Sequence, residues 1–325
     1  MNNSKVPFII GGAGFIGNRL ISYLKNKNIN FLVGDLKADN PSIIKIDIED
    51  LNSLDNIANS DCIINLAAVH RDDIRPVSRY DDVNVQGSIN ICKAARKHNI
   101  NKIIFTSSVA IYGFAPPNTD ELGEARYFND YGRTKYLAEQ VYKEWQEEDP
   151  ERRTLVIVRP TVVFGEGNRG NVYNLLNQIA SGKFAMIGNG KNKKSMAYVQ
   201  NVAAFLEYSM SFKPGLHIYN YIDKPDFEMN DLVYFVQKRL SPKNKIIFRL
   251  PRFLGILLGY IGDFVANLTG TSVPITSIRI KKFLATTQFS SSVRKTGFVA
   301  PVSLEEGLNR TLTNEFLKDN SEKSF

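Results

Sequence analysis

Short apolar runs of strand length recur through the first half of the chain, at residues 6–10, 31–33, 43–48, 62–66, 102–106 and 155–158. Longer amphipathic stretches separate most of them. The spacing predicts helices from the glycine turn after residue 10 to about residue 27, and over 51–58, 83–98 and 131–146. Continuous apolar strands alternating with amphipathic helices indicate a parallel sheet covered on both faces. After Pro160 the rhythm loosens, and Gly and Asn gather at 165–171 and 188–192. The pattern predicts an α/β chain with a doubly wound parallel sheet over 1–165. A smaller, intertwined substrate domain over 166–325 sends some strands and helices back to that sheet. One segment breaks the soluble pattern: LPRFLGILLGYIGDFVANLTG, residues 250–270.

The first strand runs into GGAGFIG, with Gly11, Gly14 and Gly17 spaced GxxGxxG. In a strand–turn–helix context the first glycine permits the tight turn. The second admits a pyrophosphate to the backbone, and the third lets the helix pack on its strand. The helix N-terminus then offers N–H groups and a favourable dipole to the diphosphate. Asp35 ends the second predicted strand about twenty residues on, where a carboxylate meets ribose hydroxyls and repels a 2′-phosphate. The expectation is a Rossmann-type domain holding NAD rather than NADP.

Tyr131 and Lys135, in YGRTK, are four apart on a predicted helix and share one face. An ammonium near a phenol favours phenolate. YxxxK by itself is more often a surface pair. Ser108, in FTSSVAIYG, ends a predicted parallel strand, where such sheets place their ligand crevice.

Together GGAGFIG, the NLAA of 65–68, the VNVQG around Asn84, FTSSVAIYG and YGRTK resemble the extended short-chain dehydrogenases/reductases acting on sugar nucleotides. The resemblance implies Tyr131 as general base or acid, Ser108 as orienter of the sugar hydroxyl, and Lys135 as a partner of the nicotinamide ribose. It extends the cofactor site to Phe15, Ile16, Asp47, Ile48, Leu66, Ala67, Ala68, Asn84 and Pro160. Dehydratases of that family carry an acidic pair after the catalytic hydroxyl residue; here Val109 and Ala110 stand there. That disfavours elimination of water and leaves an epimerase or a ketoreductase. Later strings, AAVHRDD, FGEGNRGNVYNLLNQIASGKF, SMAYV, YNYIDKPD, IRIKKFLATTQF and GFVAP, are similar to the bacterial 4-epimerases of N-acetylglucosamine linked through diphosphate to undecaprenol, which serve O-antigen synthesis. Lys194 aligns with a family position for a cation toward the substrate diphosphate; Arg169 in the Gly/Asn-rich turn and Arg71 and Arg75 after the strand ending at Ala67 are further candidates, each equally readable as a surface charge, and Asn171 is a candidate substrate contact. The likeness leaves His70 as either a core histidine or a substrate contact. A homodimer through the helices at 83–98 and 131–146 is also implied by resemblance.

Composition changes the picture in three places. Two distant cysteines, Cys62 and Cys92, and three scattered histidines exclude a disulfide framework and predict no metal. The first apolar run is too short for a secretory leader, so the expected location is cytoplasmic. The net charge of +8 is concentrated: eleven Lys or Arg face four Asp or Glu between residues 226 and 300, around the apolar segment. Nucleic acid, a membrane surface or a phosphorylated substrate could each explain that, but from charge alone a solvated basic face explains it best, and no nucleic-acid partner is expected.

A helix over 253–270 measures about 27 Å at ~1.5 Å per residue, short of a hydrocarbon core of roughly 30 Å, and it carries Asp263. On a helical wheel its large apolar residues fill a broad arc, while Gly255, Gly259, Gly262 and Ala266 form a narrow stripe. By pattern alone the arc fits burial in the substrate domain. Taken with the resemblance to enzymes of a polyprenol-linked sugar, it predicts peripheral contact with the cytoplasmic face of the inner membrane. The leading expectation is a 4-epimerase of a polyprenyl-diphosphate amino sugar. A soluble UDP-sugar epimerase, a 4-ketoreductase and a non-catalytic NAD-binding regulator remain as rivals.

Overall fold

The computed structural model describes residues 6–71, 74–240, 248–269, 273 and 276–318. Asp72 and Asp73 of the AAVHRDD string, Lys243, Lys245, Gly270 and the polar tail after Lys318 lie outside the described residues. The chain divides into two units. One comprises Met1–Val163, Ala197–Asp223 and Phe289–Ser303; the other comprises Phe164–Met196, Lys224–Gln288 and Leu304–Phe325.

The first unit is built on strands β1 (Val6–Ile10), β2 (Leu32–Asp35), β3 (Ile44–Lys45), β4 (Ser60–Asn65), β5 (Lys102–Thr106) and β6 (Thr154–Pro160), with an edge strand, Gly215–Tyr221. All pairings are parallel, and the order is edge strand, β6, β5, β4, β1, β2, β3. The order reverses between β1 and β4, which opens a crevice beyond their C-terminal ends. Successive strand residues point to opposite faces, and both faces are apolar. Ile63, Ile103, Phe105, Leu155 and Ile157 meet Ile91, Ala95, Ala138, Tyr142 and Trp145 from the Gly87–Lys97 and Asp130–Glu147 helices. Ile9, Ile64, Ile104, Val156 and Val158 meet Leu20, Leu24, Val202, Phe205 and Leu206 from the Phe15–Asn26 and Val199–Ser209 helices. This is the doubly covered sheet that the uninterrupted apolar runs call for.

Two elements differ from the pattern-based expectation. The helix expected over 51–58 is a short 3-10 turn, Ser53–Ile57, whose buried residues Leu54 and Ile57 are three apart. That spacing matches three residues per turn. The Ser53 hydroxyl also bonds the Asp47 and Asp50 carbonyls, which competes with helical bonding. The helix expected from residue 83 opens as a wide π turn, Asp81–Gln86, before regular helix begins at Gly87. The strand expected over 43–48 stops at Lys45. Past Ile46, Asp47 turns the chain by accepting the Glu49 N–H.

The second unit contains a parallel strand pair, Ala185–Ile187 with Phe248–Leu250, and helices Asn171–Ala180, Met229–Leu240, Arg252–Thr269, Ser277–Leu284 and Leu304–Leu312. Leu176, Met186, Leu232, Val233, Leu308 and Leu312 are among its buried side chains.

Candidate active site

The crevice of the first unit gathers most of the residues singled out from the sequence. Gly11 sits at φ +82°, and a Cβ there would lie 2.7 Å from the Ala67 nitrogen. Only glycine fits both the turn and the approach of the loop after β4. At Gly17 a Cβ would stand 2.4 Å from the Gly11 carbonyl oxygen, so the Phe15–Asn26 helix begins hard against the turn. No side chain caps that helix, and its first turn holds no acidic residue. The opening N–H groups of Phe15, Ile16 and Gly17 are thus suited to an anion. Asp35 ends β2 beside them. One carboxylate oxygen accepts from the Ala13 N–H at 2.9 Å and the other from the Lys37 N–H at 2.9 Å, which ties the glycine turn to the second strand. Each oxygen keeps lone-pair capacity for a ribose hydroxyl. An uncapped helix, two close backbone approaches and an acceptor at the end of β2 together fit a dinucleotide.

Leu66, Ala67 and Ala68 form the loop after β4. The Asn65 side chain shapes it, accepting from the Ala67 N–H and donating to the Tyr142 hydroxyl. Asn84 lies behind this loop with its amide fully engaged. It accepts from the Val69 N–H and donates to the Val69 carbonyl and the Thr134 hydroxyl. Its visible role is to brace the loop against the YxxxK helix. Asp47 is half-buried at its turn, and Ile48 is a core residue against Gly87, with its carbonyl taken by Asn90. Pro160 is buried at the end of β6.

The chemistry-bearing side chains sit where β5 ends. Ser108 adopts extended backbone and its hydroxyl accepts from the Ala110 N–H, opening a 3-10 turn, Val109–Tyr112. The Asp130–Glu147 helix starts opposite, capped by the Asn129 side chain on the Gly132 N–H at 2.9 Å. A Cβ on Gly132 would lie 2.5 Å from the Ala110 carbonyl oxygen. The glycine next to Tyr131 therefore lets the start of this helix touch the turn that Ser108 opens. Lys135, one turn further on, is 2% exposed. Its ammonium donates to the Thr106 carbonyl at 2.8 Å and lies over the Phe105 ring. Burial pushes its pKa down to about 7, against the attraction of Glu139. Thr106 Oγ1 and Ser107 Oγ, also at the end of β5, are buried without a hydrogen-bond partner. Two such hydroxyls at the crevice leave bonding capacity that a water or a bound molecule can take up. Sequence reading missed both, although the TSS triplet at the end of a predicted strand was the available signal.

The anticipated substrate contacts are divided between the two units. His70 and Arg71 are exposed in the first unit, with the Arg71 carbonyl accepting from the Tyr80 hydroxyl. Arg169, Asn171 and Lys194 belong to the second unit. Arg169 donates to Glu315 at 2.7 Å and lies over the Tyr173 ring. Asn171 is exposed at the start of its helix. Lys194 donates to the Lys282 and Ala285 carbonyls at 2.9 and 2.6 Å, closing the C-terminal end of the Ser277–Leu284 helix. Burial holds its pKa down to about 8. The family resemblance had implied this lysine as a contact toward the substrate diphosphate.

Comparison with known proteins agrees with this geometry. Residues 8–220 match the family described as "NAD dependent epimerase/dehydratase family". The chain is 48% identical over 314 residues, 95% of each chain, to the N-acetyl-alpha-D-glucosaminyl-diphospho-ditrans,octacis-undecaprenol 4-epimerase of Escherichia coli O157:H7. Among solved structures it superposes on UDP-N-acetylglucosamine 4-epimerase from Bacillus cereus with a TM-score of 0.75, at 14% identity over 95% of this chain and 98% of that one. It also superposes on MoeE5 in complex with UDP-glucose and NAD with a TM-score of 0.73, at 21% identity over 94% and 97%.

Proposed function

Because the chain belongs to the NAD dependent epimerase/dehydratase family, we propose that it is a 4-epimerase. It interconverts N-acetylglucosamine and N-acetylgalactosamine carried on undecaprenyl diphosphate, for O-antigen or other surface polysaccharide synthesis. Tyr131, as phenolate, takes the proton of the sugar 4-hydroxyl, and Ser108 holds that oxygen in line. Lys135 keeps positive charge beside the phenol, which favours its ionised form. The glycine turn, the start of the Phe15–Asn26 helix and Asp35 would hold NAD, which when bound would supply the acceptor and donor of the C4 hydride. The crevice would let the 4-keto sugar turn over, and Tyr131 would return the proton to the same oxygen once the configuration at C4 is inverted. With Val109 and Ala110 after Ser108, no carboxyl group stands ready to eliminate water, so configuration at C4 is the change that results.

The observation that carries the lipid-linked reading is the Arg252–Thr269 helix. Its buried residues are Gly255, Gly259 and Gly262. Cβ atoms on the first two would lie 2.4 Å from the Ile187 side chain and 2.8 Å from Ser277 Cα, so the helix is pressed down on its small face. Its acidic residue, Asp263, turns inward and accepts from the Ser277 N–H. Phe253, Leu257, Leu258, Tyr260, Ile261, Phe264, Val265 and Leu268 all remain exposed. Arg252 begins the helix, and Lys281 of the next helix lies over the Tyr260 ring. Among the described residues no helix is long and apolar enough to cross a membrane. An amphipathic face of this kind with basic neighbours suits an anionic leaflet. It also suits a substrate whose lipid resists leaving the bilayer, at about 0.8 kcal/mol for each CH₂ exposed to water. A homodimer through the Gly87–Lys97 and Asp130–Glu147 helices is part of the proposal, supported by the family resemblance.

The deciding experiment supplies the protein and NAD with N-acetylglucosamine linked to undecaprenyl diphosphate and, in parallel, to UDP. Conversion of the lipid-linked sugar in preference to the nucleotide sugar is expected. Preference for UDP-N-acetylglucosamine overturns the lipid assignment. Net consumption of reduced cofactor without epimer formation overturns the reaction.

A further inference from the structure

Glu139 and Arg159 form a buried ion pair that the steps above leave without a role. Glu139 is fully buried and Arg159 is 4% exposed. The pairing is bidentate, from Arg159 Nε to Glu139 Oε1 at 2.9 Å and from Nη2 to Oε2 at 2.6 Å. The third nitrogen, Nη1, donates to the Tyr112 hydroxyl at 2.6 Å and to the Glu121 carbonyl at 3.0 Å. Burial alone would lower the arginine pKa, but the hydrogen bonds and charge of Glu139 more than reverse this, so Arg159 stays a guanidinium. Well-packed apolar residues serve stability as well as a buried pair does, so stability alone does not explain a carboxylate here.

Its placement supplies a reason. Tyr131, Lys135 and Glu139 follow one another at four-residue spacing on a single helix, so they line one face. Lys135 is buried among groups that compensate little for its charge: the Thr106 carbonyl and the Phe105 ring from β5. On its own helix Tyr131 stands one turn before it and Glu139, whose charge acts on it, one turn after. From β6 and the Val109–Tyr112 turn, Arg159 and the Tyr112 hydroxyl stand behind Glu139. Glu139 is therefore the anion of this cluster, and Arg159 prevents its carboxylate from rotating away.

We propose that Glu139, locked in place by Arg159, is a positioning residue that keeps Lys135 an ammonium beside Tyr131. The inference rests on the reading of Tyr131 and Lys135 as the working pair, and its test is separable from that reading.

The readout is the titration of Lys135 followed by ¹³C NMR at Cε in the full chain without substrate, assigned with Lys135→Arg. Glu139→Gln removes the anion and lowers the Lys135 midpoint by about two pH units, as expected for a charge one helical turn away in a medium of effective dielectric ~20. Arg159→Met leaves the carboxylate uncompensated and moves the midpoint upward. Glu139→Asp keeps the charge and stays near the parent value. In turnover assays the alkaline limb of the pH profile moves in the same directions. A pair that only holds the fold together lowers thermal stability in all three variants and leaves the midpoint where it was. That result, or shifts of the same sign in Glu139→Gln and Arg159→Met, overturns the proposal. Should one of these two fail to fold, the other measured against Glu139→Asp decides. Persistence of turnover in Tyr131→Phe would instead overturn the underlying reading, whatever the titration shows.

Discussion

Replacing Phe264 by serine removes one of the outermost rings of the apolar arc while touching little else. Phe264 is 64% exposed. A phenylalanine carries about 200 Å² of surface, so roughly 130 Å² is available to lipid. At ~25 cal/mol per Å² full insertion is worth about 3 kcal/mol. An interfacial helix sinks only partly into the acyl boundary, which reduces this to about 2 kcal/mol, or roughly a thirtyfold loss in partitioning. Arg252, Lys281 and Lys282 add about 1 kcal/mol each near an anionic surface, so binding also weakens as salt rises. The assay is co-sedimentation with vesicles rich in anionic lipid, at low and high salt, with thermal melting of both proteins as a control. Phe264→Ser is expected to remain largely in the supernatant with an unchanged melting temperature, and to lose turnover on vesicle-borne substrate. Equal sedimentation of variant and parent refutes the membrane face. A fall of several degrees in melting temperature would show that the ring is packed against protein, and the reasoning fails with it.

Tyr131→Phe keeps the ring and removes the hydroxyl; turnover is expected to fall at least a hundredfold, in the range of general acid–base catalysis, while NAD binding followed by calorimetry persists. Gly132→Ala forces its new methyl toward the Ala110 carbonyl, at a cost of about 1–3 kcal/mol. Separation of the serine turn from the tyrosine helix then predicts a larger loss of turnover than of helical circular dichroism. Asp223 is buried, accepts the Tyr198 N–H, and has its pKa raised to about 6 chiefly by burial. Because the folded chain holds that proton more tightly than the unfolded one, stability falls as pH rises from about 4 to about 6, by about 2–3 kcal/mol in total. Asp223→Asn is expected to flatten that part of the curve in denaturant titrations run across the range, and an unaltered slope would count against it.

Local pattern carried much of this molecule. Gly11, Gly14, Gly17 and Asp35 were legible because a tight turn, an open helix start and a strand end are decided within a few residues. Tyr131 and Lys135 share a face through helical periodicity alone, whereas the pattern at 253–270 by itself fitted a buried apolar arc, and only the fold showed the stripe of Gly255, Gly259 and Gly262 to be the buried side. What tertiary structure alone decided was where each polar group found its partner. Lys194, a spare cation in the sequence, closes a helix end nearly ninety residues away in the chain. Arg169 meets Glu315 from the far C-terminal end, and Asn84 braces a loop to a helix rather than standing open. Glu139 showed no sign of finding Arg159 on a neighbouring strand. The physical reason is range: dihedral preference and apolar periodicity act over one or two turns. A hydrogen bond or a buried charge is satisfied by whatever the fold brings within about 3 Å, and only the folded chain specifies that.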